Sequence, residues 1–160
     1  MRKVFFSFHY DRDNWRVAQI KNIGIVEGQK ICNSNDWEEV KRGGRQAIER
    51  WITQNMYGRS CVIVLIGNQT ANREWINYEI IKAWNEGKAL MGIYIHNLKD
   101  NFGETDCKGN NPFNYIYLEK SGENLSRFVP VFEPKPYNAH KDISDNLGSW
   151  IEYAIKNKKN

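Results

Sequence analysis

The sequence has little of what staples small folds together. It holds three cysteines, Cys32, Cys61 and Cys107, an odd number set far apart, with no Cys-x-x-Cys and no cysteine or histidine cluster. Neither a disulfide framework nor a zinc site follows from such spacing, so no metal is expected and the usage points to a reducing, cytoplasmic compartment. Long hydrophobic runs are also missing. The longest, residues 61–67, falls well short of the ~20 residues that span a bilayer. Met1-Arg2-Lys3 leads into only five strand-like residues, so neither a signal peptide nor a membrane anchor is expected. Charge of one sign is scarce too: 23 basic against 19 acidic residues leave a net +4. That permits a phosphate-bearing partner without demanding a nucleic acid.

Several site motifs are absent as well. No Gly-x-Gly-x-x-Gly follows a strand and no Gly-x-x-x-x-Gly-Lys-[Ser/Thr] occurs, so neither a dinucleotide-type Rossmann site nor a P-loop is signalled. No Gly-x-Ser-x-Gly occurs, which removes the nucleophile-elbow hydrolases. A phosphoacceptor receiver domain needs an aspartate at the end of its third strand. Here the corresponding run ends in Gly67-Asn68-Gln69, which argues against phosphorelay.

What is present reads as one domain over residues 1–160, 41% hydrophobic and 26% charged. A chain of this size buries roughly two thirds of its unfolded surface without staples. Val4-Phe5-Phe6-Ser7-Phe8, residues 61–66 and residues 89–95 are nearly continuous apolar runs of strand length, as in a parallel sheet buried on both faces. A shorter run at 29–32 predicts a less buried strand ahead of the polar segment 33–36. Ile48, Trp51, Ile52 and Met56 repeat with helical period, as do Ile76, Ile80, Ala83 and Gly87. A less regular pattern of Trp15, Val17, Ala18 and Ile20 predicts a helix over about 13–23. Strands alternating with helices give an α/β fold, a central parallel sheet flanked by helices. All four prolines, Pro112, Pro130, Pro134 and Pro136, fall in the last third, marking a core of about 1–110 and a C-terminal extension of about 111–160. Residues 101–111 read as a loop leading into it, 115–118 and 127–132 as short strands or extended pieces, 143–155 as a closing helix and 156–160 as a frayed tail.

In an open parallel sheet, ligands bind beyond the carboxyl ends of the strands, where strand order reverses. That rule selects Ser7, Phe8, His9, Tyr10 and Asp11, then Asn33, Ser34, Asn35, Asp36 and Trp37, then Gly67, Asn68, Gln69 and Thr70. Trp75 and Glu79 follow at i and i+4 and share one helix face. Glu79 stands out because it borders the buried stripe Ile76, Ile80, Ala83. Partial burial against Trp75 would raise its pKa and suit it to proton or ribose-hydroxyl contacts. The plainer alternative is a boundary glutamate paired with Lys82. His9 is either a loop histidine or a base. Trp37 and Trp75 are either core or rim aromatics or platforms for a nucleobase or nicotinamide ring.

Taken together these segments resemble a known family. Val4-Phe5-Phe6-Ser7-Phe8 resembles the first box of Toll/interleukin-1 receptor (TIR) domains, and residues 61–67 followed by Trp75-Ile76-Asn77-Tyr78-Glu79-Ile80 resemble their third strand and W-x-x-x-E helix. His9-Tyr10, Trp37-Glu38 and Asn111-Pro112-Phe113-Asn114-Tyr115 are similar to the bacterial TIR-like group that includes the TIR component of Thoeris anti-phage systems. The motifs cover about the first 115 residues. Two departures are Ile76, where many TIR domains carry cysteine, and the absence of the usual BB-loop glycine and proline.

The resemblance implies a flavodoxin-like TIR fold with a family-specific C-terminal extension. It implies an enzyme that takes NAD⁺ as substrate, with no resident cofactor, cleaves the bond between nicotinamide and ribose, and produces a cyclic ADP-ribose-type signal for an effector protein. Glu79 matches the catalytic glutamate, and Phe5, Ser7, His9, Tyr10, Asp36, Trp37 and Trp75 are implied as substrate-binding residues. A phage-derived trigger protein and a second copy of the chain are implied partners. The alternatives are a non-catalytic TIR-like adaptor and, more weakly, a nucleic-acid-binding module, since one fold hosts many functions.

Overall fold

The computed structural model describes residues 1–31 and 34–160. The apolar runs become β1 (Val4–Ser7), β2 (Cys61–Ile66) and β3 (Ala89–Tyr94), and a two-residue strand β4 (Val131–Phe132) joins the far edge. All neighbours pair in parallel in the order β1-β2-β3-β4. The helices are α1 (Tyr10–Asn22), α2 (Ser34–Arg42), α3 (Arg45–Met56), α4 (Glu74–Asn85) and α5 (Ala139–Lys156).

Side chains alternate across a strand, so each apolar run serves both faces. Val4, Phe6, Ile63, Leu65, Met91 and Ile93 pack with Val17 and Ile20 of α1 and Ile143, Leu147 and Ile151 of α5. Phe5, Val62, Val64, Ile66 and Leu90 pack on the other face with Ile48, Ile52 and Met56 of α3 and Ile76, Ile80 and Ala83 of α4. Each large side chain so buried contributes about 1.5–3 kcal/mol. The same alternation puts Ser7, two residues beyond Phe5, on the α3/α4 face.

The strand predicted at 29–32 does not form over its described part, and Cys32 lies outside the described residues. On the side of β1 away from β2, the described residues form a single parallel bridge, from Lys3 to Glu27. The buried Gln29 side chain takes over the rest: it accepts from Phe6 N and donates to Phe6 O, each at 2.8 Å. Gly28 lies flat on the Phe6 ring, where a Cβ would come within 2.5 Å of a ring carbon. Gln29→Leu leaves both Phe6 backbone groups buried without partners. It is expected to cost about 3 kcal/mol and lower Tm by roughly 10 °C in calorimetry. An unchanged Tm would show that this edge is satisfied in another way.

Other expectations are also corrected. Residues 34–36 open helix α2, with Asp36 in its first turn and Lys41 and Arg42 in its last, a charge order that suits the helix dipole. Helix α1 begins at Tyr10 rather than 13 and turns Asp13 and Arg16 inward, while Trp15 is 55% exposed. That buried polar pair is what blurred its period. Of the stretches read as short strands or extended pieces, 115–118 and 127–130 form no strand. Asn111 and Asn124 accept from Phe113 N and Ser126 N and turn the chain into 3₁₀ segments, leaving one bridge between Tyr117 and Asn124 and the two residues of β4. The tail is tied back: Lys158 Nζ donates to Gly87 O at 2.7 Å and Asn160 Nδ2 to Trp84 O at 2.8 Å. Among the described residues no helix is long and apolar enough to cross a membrane.

Candidate active site

A cleft of about 430 Å³ opens beyond the carboxyl end of β1, bordered by α2, α3 and the start of α4. Small-molecule sites fall in this size range and at this place in a parallel sheet. Glu79 sits at its base, 8% exposed, beside the inward stripe of α4. Ser7 faces it from β1 and its Oγ donates to Glu79 Oε1 at 2.7 Å. Burial pushes the Glu79 carboxyl up to about 8, and the Ser7 bond pulls in the opposite direction. Lys82 does not reach Glu79; it pairs with Glu86 at 2.6 Å. The boundary-glutamate alternative therefore falls.

Ser7 is buried behind the carboxyl and does not line the cleft. Its geometry is that of a group aiming Glu79. Ser7→Ala is expected to raise the Glu79 titration midpoint by about one pH unit, read by carbon-13 NMR of the side-chain carboxyl. A midpoint that stays put would remove Ser7 from that role.

One wall of the cleft is aromatic. Phe8 and Tyr10 stack at 5.9 Å, Tyr10 and Trp37 meet at 5.7 Å, and Trp37 and Trp51 at 5.4 Å. Phe5, wholly buried, lies under Trp51 and forms the floor. Trp75 lines the opposite side and carries the Arg45 guanidinium over its ring at 5.1 Å. His9 lies at the turn between β1 and α1. Burial and then the Arg73 charge lower its pKa, so it is neutral at physiological pH.

Phe5, His9, Tyr10, Trp37, Trp75 and Glu79 are thus brought to one cleft, with Ser7 directly behind. Asp36 is not: it is exposed on α2 and does not line the cleft. Gly67, Asn68, Gln69 and Thr70 also lie elsewhere. Thr70 Oγ1 accepts from Gly67 N at 2.8 Å, and Gly67 packs against Asp13. Asn33 lies outside the described residues. Sequence reasoning missed Trp51, Lys41 and Arg73, which all line the cleft. Trp51 sits in a stripe that reads as ordinary core, and no periodic signal marks a polar residue at the entry to a helix. Arg73 precedes α4, is exposed, and follows Asn72, whose φ of 60° makes the turn into the helix.

A parallel α/β sheet with flanking helices and a buried carboxyl beyond its first strand, facing an aromatic wall, has the form of a TIR-like domain. Residues 5–100 match the family described as "Thoeris protein ThsB, TIR-like domain", and the chain belongs to that family. It is also 32% identical, over 89% of its own length and 77% of the relative's, to a protein of Bacillus cereus (strain MSX-D12) named "Putative cyclic ADP-D-ribose synthase ThsB1".

Proposed function

We propose that this TIR-like protein cleaves the nicotinamide–ribose bond of NAD⁺ and, as nicotinamide leaves, joins the ribosyl C1′ to another atom of the same nucleotide with loss of a proton, making a cyclic ADP-ribose-type signal that acts on a separate effector protein. The observation that supports the reading best is Glu79: a carboxyl buried in an aromatic cleft and aimed by a single serine. The name of the Bacillus cereus relative points the same way.

The chemistry suits these residues. Nicotinamide is already a cationic leaving group, so the reaction needs stabilisation of an oxocarbenium-like ribose rather than protonation of the departing base. A carboxylate fixed beside C1′ supplies that charge where water cannot screen it. The Tyr10–Trp37–Trp51 wall offers ring faces on which planar bases stack, holds the two ends of the dinucleotide together and keeps water from the ribosyl cation. NAD⁺ is the substrate in this scheme and no resident cofactor takes part. A phage-derived trigger and pairing of two copies belong to the same proposal as ways of switching the site on.

The test is incubation with NAD⁺, alone and in lysate from phage-infected cells, with nicotinamide and ADP-ribose species followed by mass spectrometry. A cyclic isomer that depends on Glu79 supports the proposal. Linear ADP-ribose alone would make the protein an NAD⁺ hydrolase, and no release under any condition would favour the adaptor.

A further inference from the structure

We infer that Arg73 is the residue that reads the diphosphate of the dinucleotide and so sets specificity for a phosphorylated substrate over a bare nucleoside. The inference rests on the proposed NAD⁺ chemistry for the substrate, and on the cleft itself for the residue.

The cations lining the cleft are unequally available. Lys41 is held by Glu38 at 2.7 Å and lies 6.0 Å from the centre of the Trp37 ring. Arg45, near the rim, is bound to Glu74 and covers Trp75. Arg73 also lines the cleft, yet among the described residues its side chain makes no hydrogen bond or ion pair, and only its backbone carbonyl is engaged, accepting from Asn77 N at 2.9 Å. Its charge is felt by His9, whose protonation it disfavours. Of the exposed acids lining the cleft, Glu74 beside Arg73 is paired with Arg45, whereas Asp11 on the α1 side repels an anion there.

Distance along the helix fits the same assignment. Arg73 precedes Glu79 by six residues, so their backbones are about 9 Å apart along the axis. In a dinucleotide, the diphosphate lies one ribose and one methylene away from the glycosidic bond that breaks. With Glu79 beside that bond, a guanidinium on a long side chain reaches the phosphates from the helix entry. Its planar fork matches phosphate oxygens in pairs, which a lysine cannot reproduce.

The experiment measures binding without turnover, by titration calorimetry on protein carrying Glu79→Gln, with ADP-ribose and nicotinamide riboside as probes. Adding Arg73→Gln is expected to weaken ADP-ribose by about ten-fold or more and to flatten its salt dependence. Nicotinamide riboside, which has no phosphate, should bind as before, and Arg73→Lys should recover only part of the loss. The Arg73 side chain is exposed and has no hydrogen-bond or ion-pair partner among the described residues, so Tm should not move. Equal weakening of both probes, no weakening of either, or failure of the parent protein to bind ADP-ribose would each overturn the assignment. Selective weakening with no nicotinamide release by the unsubstituted protein would uphold Arg73 and reject the proposed reaction.

Discussion

Glu79→Gln is expected to reduce nicotinamide release by about 10³-fold or more and, at the same time, to make the protein more stable in mild alkali. The first effect follows from losing what is, among the described residues, the one buried carboxyl lining the cleft. The second follows from linkage. Burial raises the carboxyl of native Glu79 to about 8 from an ordinary value of 4.5. The native state therefore holds that proton more tightly than the unfolded chain does. The stabilisation this gives is fully present below about pH 4.5 and is lost as pH climbs through 8. A glutamine does not titrate, so above pH 8 the variant should exceed the parent by an amount on the order of 3 kcal/mol. Urea unfolding of both proteins across pH 5 to 9 reads this directly. Parallel curves would mean that Glu79 is not held neutral in the resting fold.

The same proton bears on catalysis. At neutral pH the resting carboxyl is mostly neutral, whereas the proposed reaction uses the carboxylate. A cationic nicotinamide placed beside it favours ionisation, so substrate binding expels the proton. Under the proposed function, kcat/KM should rise with pH and level off near 8, the region set by the free protein's Glu79. A flat profile from pH 6 to 9 would place the essential group elsewhere.

Asp13→Ala is expected to cost about 3–5 kcal/mol and lower Tm by roughly 10–15 °C, although Asp13 does not line the cleft. Asp13 and Arg16 face inward from α1, their side chains 0% and 5% exposed and 3.5 Å apart. Arg16 also donates to Leu98 O at 2.8 Å and Glu104 O at 3.1 Å, tying the segment after β3 to α1. Without Asp13 the buried guanidinium loses the carboxyl paired with it and keeps only the more distant Asp100 and Asp106. Burial raises the Asp13 carboxyl to about 6 while Arg16 and Arg12 pull it down. Its proton is thus held more tightly in the native state, and its contribution is greatest near pH 4 and falls as pH rises through 6. Asp13→Asn should flatten that slope, as read by thermal unfolding across pH 4 to 8. A loss below about 1 kcal/mol for Asp13→Ala would show that the two carbonyls alone satisfy Arg16. Gly67 belongs to this arrangement. A Cβ there would lie 2.2 Å from an Asp13 carboxylate oxygen, so only glycine lets β2 end against the pair.

The three long apolar strands, the stripes of α3 and α4 and the value of Glu79 as a candidate were all legible in the sequence. Each depends on spacing within one segment: burial on both faces writes a continuous apolar run, and one buried helix face writes a 3.6-residue period. The same local patterns, in order, marked the TIR family. Where polar residues go inward, those patterns break. Asp13 and Arg16 disguised α1, and Gln29 stands in for a strand by bonding a peptide 23 residues away.

What only the tertiary structure decided is which residues meet. Ser7 and Glu79 are 72 residues apart in the chain, and the meeting depends on the pairing of β1 with β2 and the seating of α4 across them. That register carried Ser7 behind the carboxyl, left Asp36 outside the cleft and brought Trp51 and Arg73 into it. Side-chain chemistry and local period are properties of a segment and can be read from it. The position of one segment against another comes from packing the whole core, which no single stretch of sequence records.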